Sequence, residues 1–418
     1  MAEPRIFQLA DDTGGDSESA SPFVALGYRD NPFPHSGVSG PLYTAHMPEA
    51  LKQINRWLGS VQQATDSSQN GRQPVPPLAL RGALGVGKTH LLQNIEGGLA
   101  QYSRFPVLRR NLAEGGMTKL LLANLLLAAL PNIRQTAGHL VPIAAPSTVP
   151  LLDEIVERSR SRGYAKRRDI LGVLDGASQL KAPLQRILEA DAAFEADLRR
   201  WLALWLTRGT TTPTQRGKLG LSAPLEGEGQ AIRAIGDLMR LARKLDLLQV
   251  WFVLIDQFEE LWRPQVITEG RAARFLTDVR ALIDDALDGA PVAVLLAWNT
   301  KTGVEDTAED ELAERYRALW QRLSVRVNLP GLRSSDLWPF AAHYLKSVAA
   351  SLGIPDSESA QRRFTVLLHE RGLPLVKRQL AADPINAQLG PDHFAQRLVL
   401  QAWREVATSI AERERDPA

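Results

Sequence analysis

Leu-Ala-Leu-Arg-Gly-Ala-Leu-Gly-Val-Gly-Lys-Thr-His-Leu-Leu-Gln-Asn-Ile, residues 78–95, is the stretch that decides the fold of this 418-residue chain. It opens with a short apolar run, Leu78–Leu80, which predicts a buried strand. A glycine-rich turn follows, and then Leu91, Leu92 and Ile95 recur at the spacing of one helix face. The stretch therefore predicts a strand, a tight turn and an amphipathic helix in succession, which is a unit of an α/β protein.

The turn fits the phosphate-binding pattern G-x-x-x-x-G-K-[ST], and its flanking strand and helix disfavour an accidental match. Glycines adopt backbone angles that are closed to other residues, so successive N–H groups can face a polyphosphate at a helix N-terminus. In this pattern the lysine reaches the β- and γ-phosphates, and the threonine hydroxyl ligates Mg²⁺. The predicted nucleotide contacts are Gly82, Gly85, Val86, Gly87, Lys88, Thr89 and His90, with Thr89 also a metal ligand.

Length and composition narrow the classes of function. A chain of 418 residues is too long for one compact core, so two or three structural units are expected. Lys plus Arg number 49 against 47 Asp plus Glu, a balance that by itself indicates neither a nucleic-acid nor a membrane partner. The absence of cysteine excludes disulfides and thiolate chemistry and agrees with a reducing compartment. The longest apolar stretch, residues 120–130, is too short to span a bilayer, so we expect a cytoplasmic protein with no membrane partner.

Two further strands are predicted to end in polar residues at the same edge of a sheet. The apolar run Val250–Ile255 predicts a strand covered on both faces, and Asp256 follows it. Because ligands bind beyond the carboxyl ends of such strands, Asp256 is the predicted Mg²⁺ carboxylate, with an acidic strand cap as the alternative. Asn299 ends the predicted strand Val292–Trp298 and is expected to orient the attacking water or contact the γ-phosphate, unless it is an ordinary turn residue.

With strands at Phe105–Leu112 and Ser324–Leu329, the predicted sheet has five strands. The predicted class is α/β: a P-loop NTPase with a parallel five-stranded sheet, helices on both faces, a helical insertion between strands 2 and 3, and a C-terminal helical lid. The insertion is predicted because the second crossover is far longer than a parallel connection needs. The predicted units are a disordered leader (1–22), an ATPase core in two parts (23–111 and 249–330), the insertion (112–248) and the lid (331–418).

Taken together, the phosphate-binding loop, the two polar-ended strands and the C-terminal helices resemble the AAA+ ATPases and their STAND relatives over roughly residues 30–380. The string Asp256-Gln257-Phe258-Glu259-Glu260-Leu261 is similar to the Walker B segment of bacterial STAND-type NTPases. The layout of residues 201–220 ahead of it is similar to Orc/Cdc6-like ATPases of bacterial BREX-type phage-defence clusters. The resemblance implies ATP and Mg²⁺ as cofactors, a homo-oligomer, and Asn299 at the sensor-1 position.

The same resemblance places Arg322 near the arginine finger, with Arg315 and Arg317 as rivals and a solvated helix end as the alternative. Two other positions depart from the family pattern. AAA+ proteins carry a catalytic glutamate directly after the Walker B aspartate, but this chain has Gln257, so hydrolysis is expected to depend on Glu259 or Glu260, with Glu259 favoured. The lid motif Gly-x-Pro-Arg reads Gly372-Leu373-Pro374-Leu375, with Lys377 and Arg378 displaced, which leaves a lid contact to the γ-phosphate open.

Three functions follow from these features. The first is an ATPase that uses nucleotide state to control its oligomerisation or a complex with a protein partner, in bacterial anti-phage defence. The second is an ATPase that engages DNA or RNA for remodelling or loading, because six basic residues lie within Arg158–Arg168 around Tyr164; a solvated surface is the bland alternative. The third is a scaffold that binds ATP without hydrolysing it, because Gln257 cannot act as a base.

Overall fold

The computed structural model describes residues 21–35, 42–65, 74–102, 104–113, 126, 149–162, 169–174, 176, 178–206, 210–225, 229–262, 267–300, 308–389 and 392–415. Several predictions from the sequence lie outside them. The leader falls outside apart from its last two residues, and so does a helix predicted at Met117–Leu130 apart from Leu126. In the basic segment, residues 163–168 are also outside, so only its first half can be placed.

A central sheet is built from β1 (Leu78–Gly82), β2 (Val107–Asn111), β3 (Trp251–Asp256), β4 (Val292–Asn299) and β5 (Val325–Asn328). The strands are all parallel, and their order across the sheet is β2-β3-β4-β1-β5. The predicted α/β class with five parallel strands is confirmed. All of β3 and all but the last residue of β4 are buried, which explains why both read as unbroken apolar runs.

The strand order brings the predicted polar strand ends together. Because β4 lies between β1 and β3, Gly82 at the end of β1 pairs with Asn299 at the end of β4. At the other side of β3, Asp256 pairs with Asn111 of β2. These carboxyl ends form one edge of the sheet, which is where open parallel sheets bind ligands.

The helices whose buried side chains share one hydrophobic cluster with the sheet are α1 (Pro48–Thr65), α2 (Lys88–Leu99), α3 (Pro150–Ser161), α4 (Lys181–Glu189), α5 (Ala192–Leu206), α6 (Pro213–Leu219), α7 (Gln230–Lys244), α8 (Glu269–Leu287), α9 (Ala308–Glu314) and α10 (Arg317–Arg322). Buried side chains of α3 to α7, between β2 and β3, belong to the same hydrophobic cluster as the sheet. We call this cluster, with the elements that form it, the sheet unit.

Two helices that the sequence pattern predicts as continuous are each divided. The prediction Leu184–Leu206 is wrong in its continuity, because α4 ends at Glu189 and α5 starts after Asp191, whose Oδ1 accepts the Phe194 N–H at 2.9 Å. The charged helix predicted at Thr307–Leu323 likewise divides into α9 and α10, since Tyr316 between them has the non-helical angles φ −122° and ψ 40°.

A second hydrophobic cluster holds the C-terminal part of the chain. Its elements are β6 (Leu332–Arg333), α11 (Leu337–Leu352), α12 (Glu358–Leu367), α13 (Leu373–Ala381), α14 (Pro384–Gln388), β7 (His393–Phe394) and α15 (Gln396–Arg415). A π-helical turn, Leu368–Gly372, connects α12 with α13 just before Pro374, which has no N–H to continue a regular α-helical ladder. We call this cluster and its elements the C-terminal unit.

The first described residues of the chain pack on the C-terminal unit and not on the sheet. Phe33 stacks on Trp403 with ring centroids 5.9 Å apart, and Phe23 meets Phe364 edge-on at 6.0 Å. Tyr28 forms an isolated bridge with Gly353. The sheet unit therefore begins near Met47, although the sequence analysis assigned residues from 23 onward to the core. No helix in the described part of the chain is both long enough and apolar enough to cross a bilayer.

Candidate functional site

The glycine-rich loop between β1 and α2, residues 82–89, has the conformation that its glycines predict. Gly85 and Gly87 have φ values of 78° and 98°, in the region that side chains disfavour. A Cβ on Gly82 would lie 2.8 Å from Val86 Cγ2 and 2.9 Å from the Leu329 carbonyl oxygen, so a larger residue cannot fit there. Helix α2 begins at Lys88, and its N-cap residue, Gly87, has no side chain to cap the positive end of the helix, which is the end that attracts anions.

Lys88 is held inside the loop. Its Nζ donates hydrogen bonds to the carbonyl oxygens of Gly82 and Ala83, both at 2.8 Å, and to Asn299 Oδ1 at 2.7 Å. Burial lowers the pKa of Lys88 to about 8, although the charges of Glu259 and Asp256 act in the opposite direction. A cation whose charge is this poorly solvated gains strongly from an anion placed beside it.

Asp256 provides a buried carboxylate beside the loop. It is 1% exposed, and its Oδ1 accepts the Gln257 N–H at 2.9 Å. Its Oδ2 is buried and has no partner within hydrogen-bond geometry among the described residues. Burial raises the Asp256 pKa, while the Thr89 side chain and the charge of Lys88 are among the interactions that lower it. The unpartnered carboxylate oxygen of Asp256 and the Thr89 hydroxyl together provide two hard oxygen donors, which suit Mg²⁺.

Glu259 lies in a 3₁₀ helix (Phe258–Trp262) after β3 and reaches Asn299 on β4. Asn299 donates to the two carboxylate oxygens of Glu259 through its side-chain Nδ2 and through its backbone N–H, the latter at 3.2 Å. Burial raises the pKa of Glu259, and the charge of Lys88 is among the influences that lower it. Asn299 therefore links the Lys88 ammonium to the Glu259 carboxylate. Glu260 is buried, but it takes no part in the link from Lys88 through Asn299, which ends at Glu259.

Gln257, between the two carboxylates, has an unusual backbone. Its φ is 54°, a left-handed conformation that costs energy for a glutamine. Its Oε1 is buried without a hydrogen-bond partner in the described part of the chain. Such strain and unsatisfied polarity concentrate at functional sites, so Gln257 marks this edge of the sheet as more than a packing surface.

The C-terminal unit touches the loop at a place that the sequence analysis missed. The Arg397 N–H donates to the Gly85 carbonyl oxygen at 3.1 Å, and the exposed Arg397 side chain starts beside the loop. The lid motif that begins at Gly372 does not make this contact, because Gly372 packs against Trp403 and Val406 in the middle of α15. No spacing rule relates Arg397 to the glycine-rich loop, since more than 300 residues separate them in the chain.

The arginine-finger candidates differ in what holds them. Arg322 Nε forms an ion pair with Asp284 of α8, and its NH1 donates to the Ala318 carbonyl at 2.6 Å. Arg315 pairs with Glu311 at 3.2 Å. Arg317 is exposed and makes no ion pair with another described residue. A role in a neighbouring subunit stays a prediction for all of them, and the geometry favours Arg317 because no described residue forms an ion pair with its guanidinium.

In the described half of the basic segment, some of the arginines form ion pairs and hydrogen bonds within the protein. Arg160 pairs with the buried Glu195 and donates to the carbonyl oxygens of Ile187 and Ala190 at 3.1 and 3.2 Å. Arg158 lies 3.9 Å from Glu154, whereas Arg162 is exposed at the end of α3. Tyr164, Lys166, Arg167 and Arg168 lie outside the described residues, so nucleic-acid binding by this segment stays a prediction.

Comparison of the chain with protein-family models, with curated proteins and with solved structures found no match. In the described part of the chain, no three His, Asp or Glu side chains form a group that could hold a metal alone. Mg²⁺ does not need such a group, because it commonly binds one carboxylate together with phosphate oxygens and water. Asp256 and Thr89 fit that requirement.

Proposed function

We propose that this protein is a P-loop ATPase of the AAA+/STAND kind, which binds Mg·ATP at the glycine-rich loop and hydrolyses it. The observation that carries the proposal is the convergence on one loop of a buried cation, a buried carboxylate, a half-buried carboxylate and an amide: Lys88, Asp256, Glu259 and Asn299. A glycine-rich turn with no catalytic role does not require three ionisable groups to be desolvated together, because each such burial costs free energy.

In nucleotide binding, the loop amides and Lys88 engage the phosphates. Lys88 exchanges its bonds to the Gly82 and Ala83 carbonyl oxygens for charge-assisted bonds to the β- and γ-phosphates. Thr89 and Asp256 would hold Mg²⁺, which when bound offsets negative charge on the phosphate oxygens. The adenine preference rests on the family resemblance alone.

In hydrolysis, Glu259 accepts a hydrogen bond, and finally the proton, from the water whose oxygen attacks the γ-phosphorus as the bond to ADP breaks. Its raised pKa brings the carboxylate closer to the value at which a general base works well near neutral pH. Asn299 orients Glu259 by donating to both of its carboxylate oxygens. Gln257 cannot take the proton, because an amide is not basic, but its free Oε1 can accept a hydrogen bond from the same water.

The proposal extends to nucleotide-controlled self-association and to a complex with a protein partner in anti-phage defence, both supported by the family resemblance. The exposed Arg317 is available to a neighbouring active site, where an arginine of this kind raises turnover by roughly 10³ to 10⁵. A mass measurement with and without Mg·ATP tests this extension. A chain that stays monomeric with full turnover at every concentration would remove it.

Titration of Mg·ATP into the wild-type protein and into Lys88→Ala tests the proposal directly. Lys88→Ala is expected to abolish measurable binding, because it removes the cation from a site built around a polyphosphate. Lys52→Ala is the matched control, since Lys52 is an exposed lysine of α1 whose side chain is 66% exposed. Undiminished ATP affinity in a folded Lys88→Ala protein would refute the proposal.

A further inference from the structure

The first turn of α15 rests on the glycine-rich loop through Gln396 as well as through Arg397. A Cβ on Gly87 would collide with the carboxamide oxygen of Gln396, so only glycine permits this approach. Gln396 is 8% exposed, and its Nε2 donates to the Tyr43 carbonyl at 3.3 Å and lies 3.3 Å from His46 Nε2. The side chain thus joins the loop to the segment that precedes α1.

The loop has unused donors at the same place. The N–H groups of residues 84–87 donate to no acceptor among the described residues. Gln396 presents an acceptor oxygen to the loop without satisfying these donors, because no hydrogen bond between them meets the geometric limits. Since unsatisfied amides in a glycine-rich loop are the donors that bind phosphate, Gln396 and a phosphate group approach the same few atoms.

We propose that Gln396 is a latch: its contact with Gly87 and phosphate binding at the loop exclude each other, so Mg·ATP releases this contact between the C-terminal unit and the loop. This inference rests on the proposed function. Phosphate brings several negative charges toward the carboxamide oxygen, and their repulsion turns the Gln396 side chain away. The turn breaks its contacts with Tyr43 and His46. The coupling is reciprocal, so anything that holds Gln396 against Gly87 weakens nucleotide binding by the same factor.

The first test is the affinity for Mg·ATP of Gln396→Ala. Because the variant removes a competitor of phosphate, it is expected to bind about twofold to tenfold more tightly, the range that one hydrogen bond spans. Gln401→Ala is the matched control, since Gln401 is an exposed residue of the same helix that bonds only to Glu405 among the contacts described. Equal or weaker binding by Gln396→Ala would overturn the latch, because it would make Gln396 a bystander or a nucleotide ligand.

The second test follows the C-terminal unit itself. The chain has no cysteine, so Thr277→Cys on α8 and Ser359→Cys on α12 place two spin labels at exposed positions, one on each unit. Mg·ATP is expected to shift the distance between the labels, and Gln396→Ala is expected to shift it partly without nucleotide. An unchanged distance at saturating Mg·ATP would overturn the latch and leave the ATPase proposal standing, whereas absence of Mg·ATP binding by the wild-type protein would remove both.

Discussion

The sheet unit and the C-terminal unit are built on different principles. In the sheet unit, ionisable groups are buried at one sheet edge, where Lys88, Asp256 and Glu259 lose solvation in order to face a common site. The C-terminal unit is fastened by aromatic contacts such as Phe33 on Trp403, and among the described residues it meets that site where α15 begins, at Ala395 to Arg397. The proposed chemistry and its proposed control therefore lie in different units, so a substitution can disturb one and spare the other.

The largest effect is expected from Glu259→Gln, which should lower ATP turnover by about 10² to 10⁴ because it removes the base from the proposed site. Glu260→Gln is the matched control and should retain most of the activity, since the link to Lys88 runs through Glu259. Steady-state phosphate release, measured with both variants at saturating Mg·ATP, checks this. Equal full activity in the two variants would contradict the assignment.

Phe33→Ala should destabilise the C-terminal unit by about 3–5 kcal/mol, because it empties a fully buried site in the second hydrophobic cluster. Leu295→Ala, in the middle of β4, should act on the sheet unit instead. Calorimetry of both variants compares the units directly. If both variants show a single transition, lowered in temperature by the same amount, the two units unfold together as one cooperative unit.

Affinity for Mg·ATP should fall as pH rises above about 8, the pKa to which burial lowers Lys88. The sign follows from linkage: phosphate favours charged Lys88, so its pKa is higher in the complex, and binding takes up a proton between the two values. The loss is at most about tenfold per pH unit in that window. Calorimetric titrations near pH 8.5, in buffers of different ionisation enthalpy, should detect this proton uptake. If no proton is taken up, Lys88 does not contact the phosphates.

The smallest effect is expected from Arg397→Ala, which should weaken the binding of ATP about fivefold and the binding of ADP less. The effect is small because the Arg397 side chain is exposed, so water screens its attraction to the terminal phosphate. Arg378→Ala provides the control, since Arg378 lies exposed on α13. Competition binding with both nucleotides measures the ratio. A larger loss with Arg378→Ala would instead assign the phosphate contact to the displaced arginine after the lid motif.

The part of the molecule that could be predicted from sequence is the part encoded by neighbouring residues. Asp256 and Asn299 could be placed because each directly follows a buried run that forms a strand, and parallel strands align their carboxyl ends. Helix continuity was less predictable, because apolar periodicity continues across Asp191 while its carboxylate caps a new helix. Arg397 and Gln396 could not be found, since their contacts with the loop depend on how two units pack.

The chain crosses between its two hydrophobic clusters twice, from Tyr43 to Met47 and from Leu329 to Leu332. Both crossings lie beside the glycine-rich loop: the Tyr43 carbonyl bonds Gln396, and the Leu329 carbonyl approaches Gly82. Two tethers restrict the C-terminal unit to rotation about the line that joins them. Because α15 has 20 residues and is about 30 Å long, a rotation of about 10° about its first turn would move its far end by about 5 Å while the turn at the loop barely shifts. If phosphates bind at the loop as proposed, a displacement of atomic size there would become a movement large enough for another protein to detect.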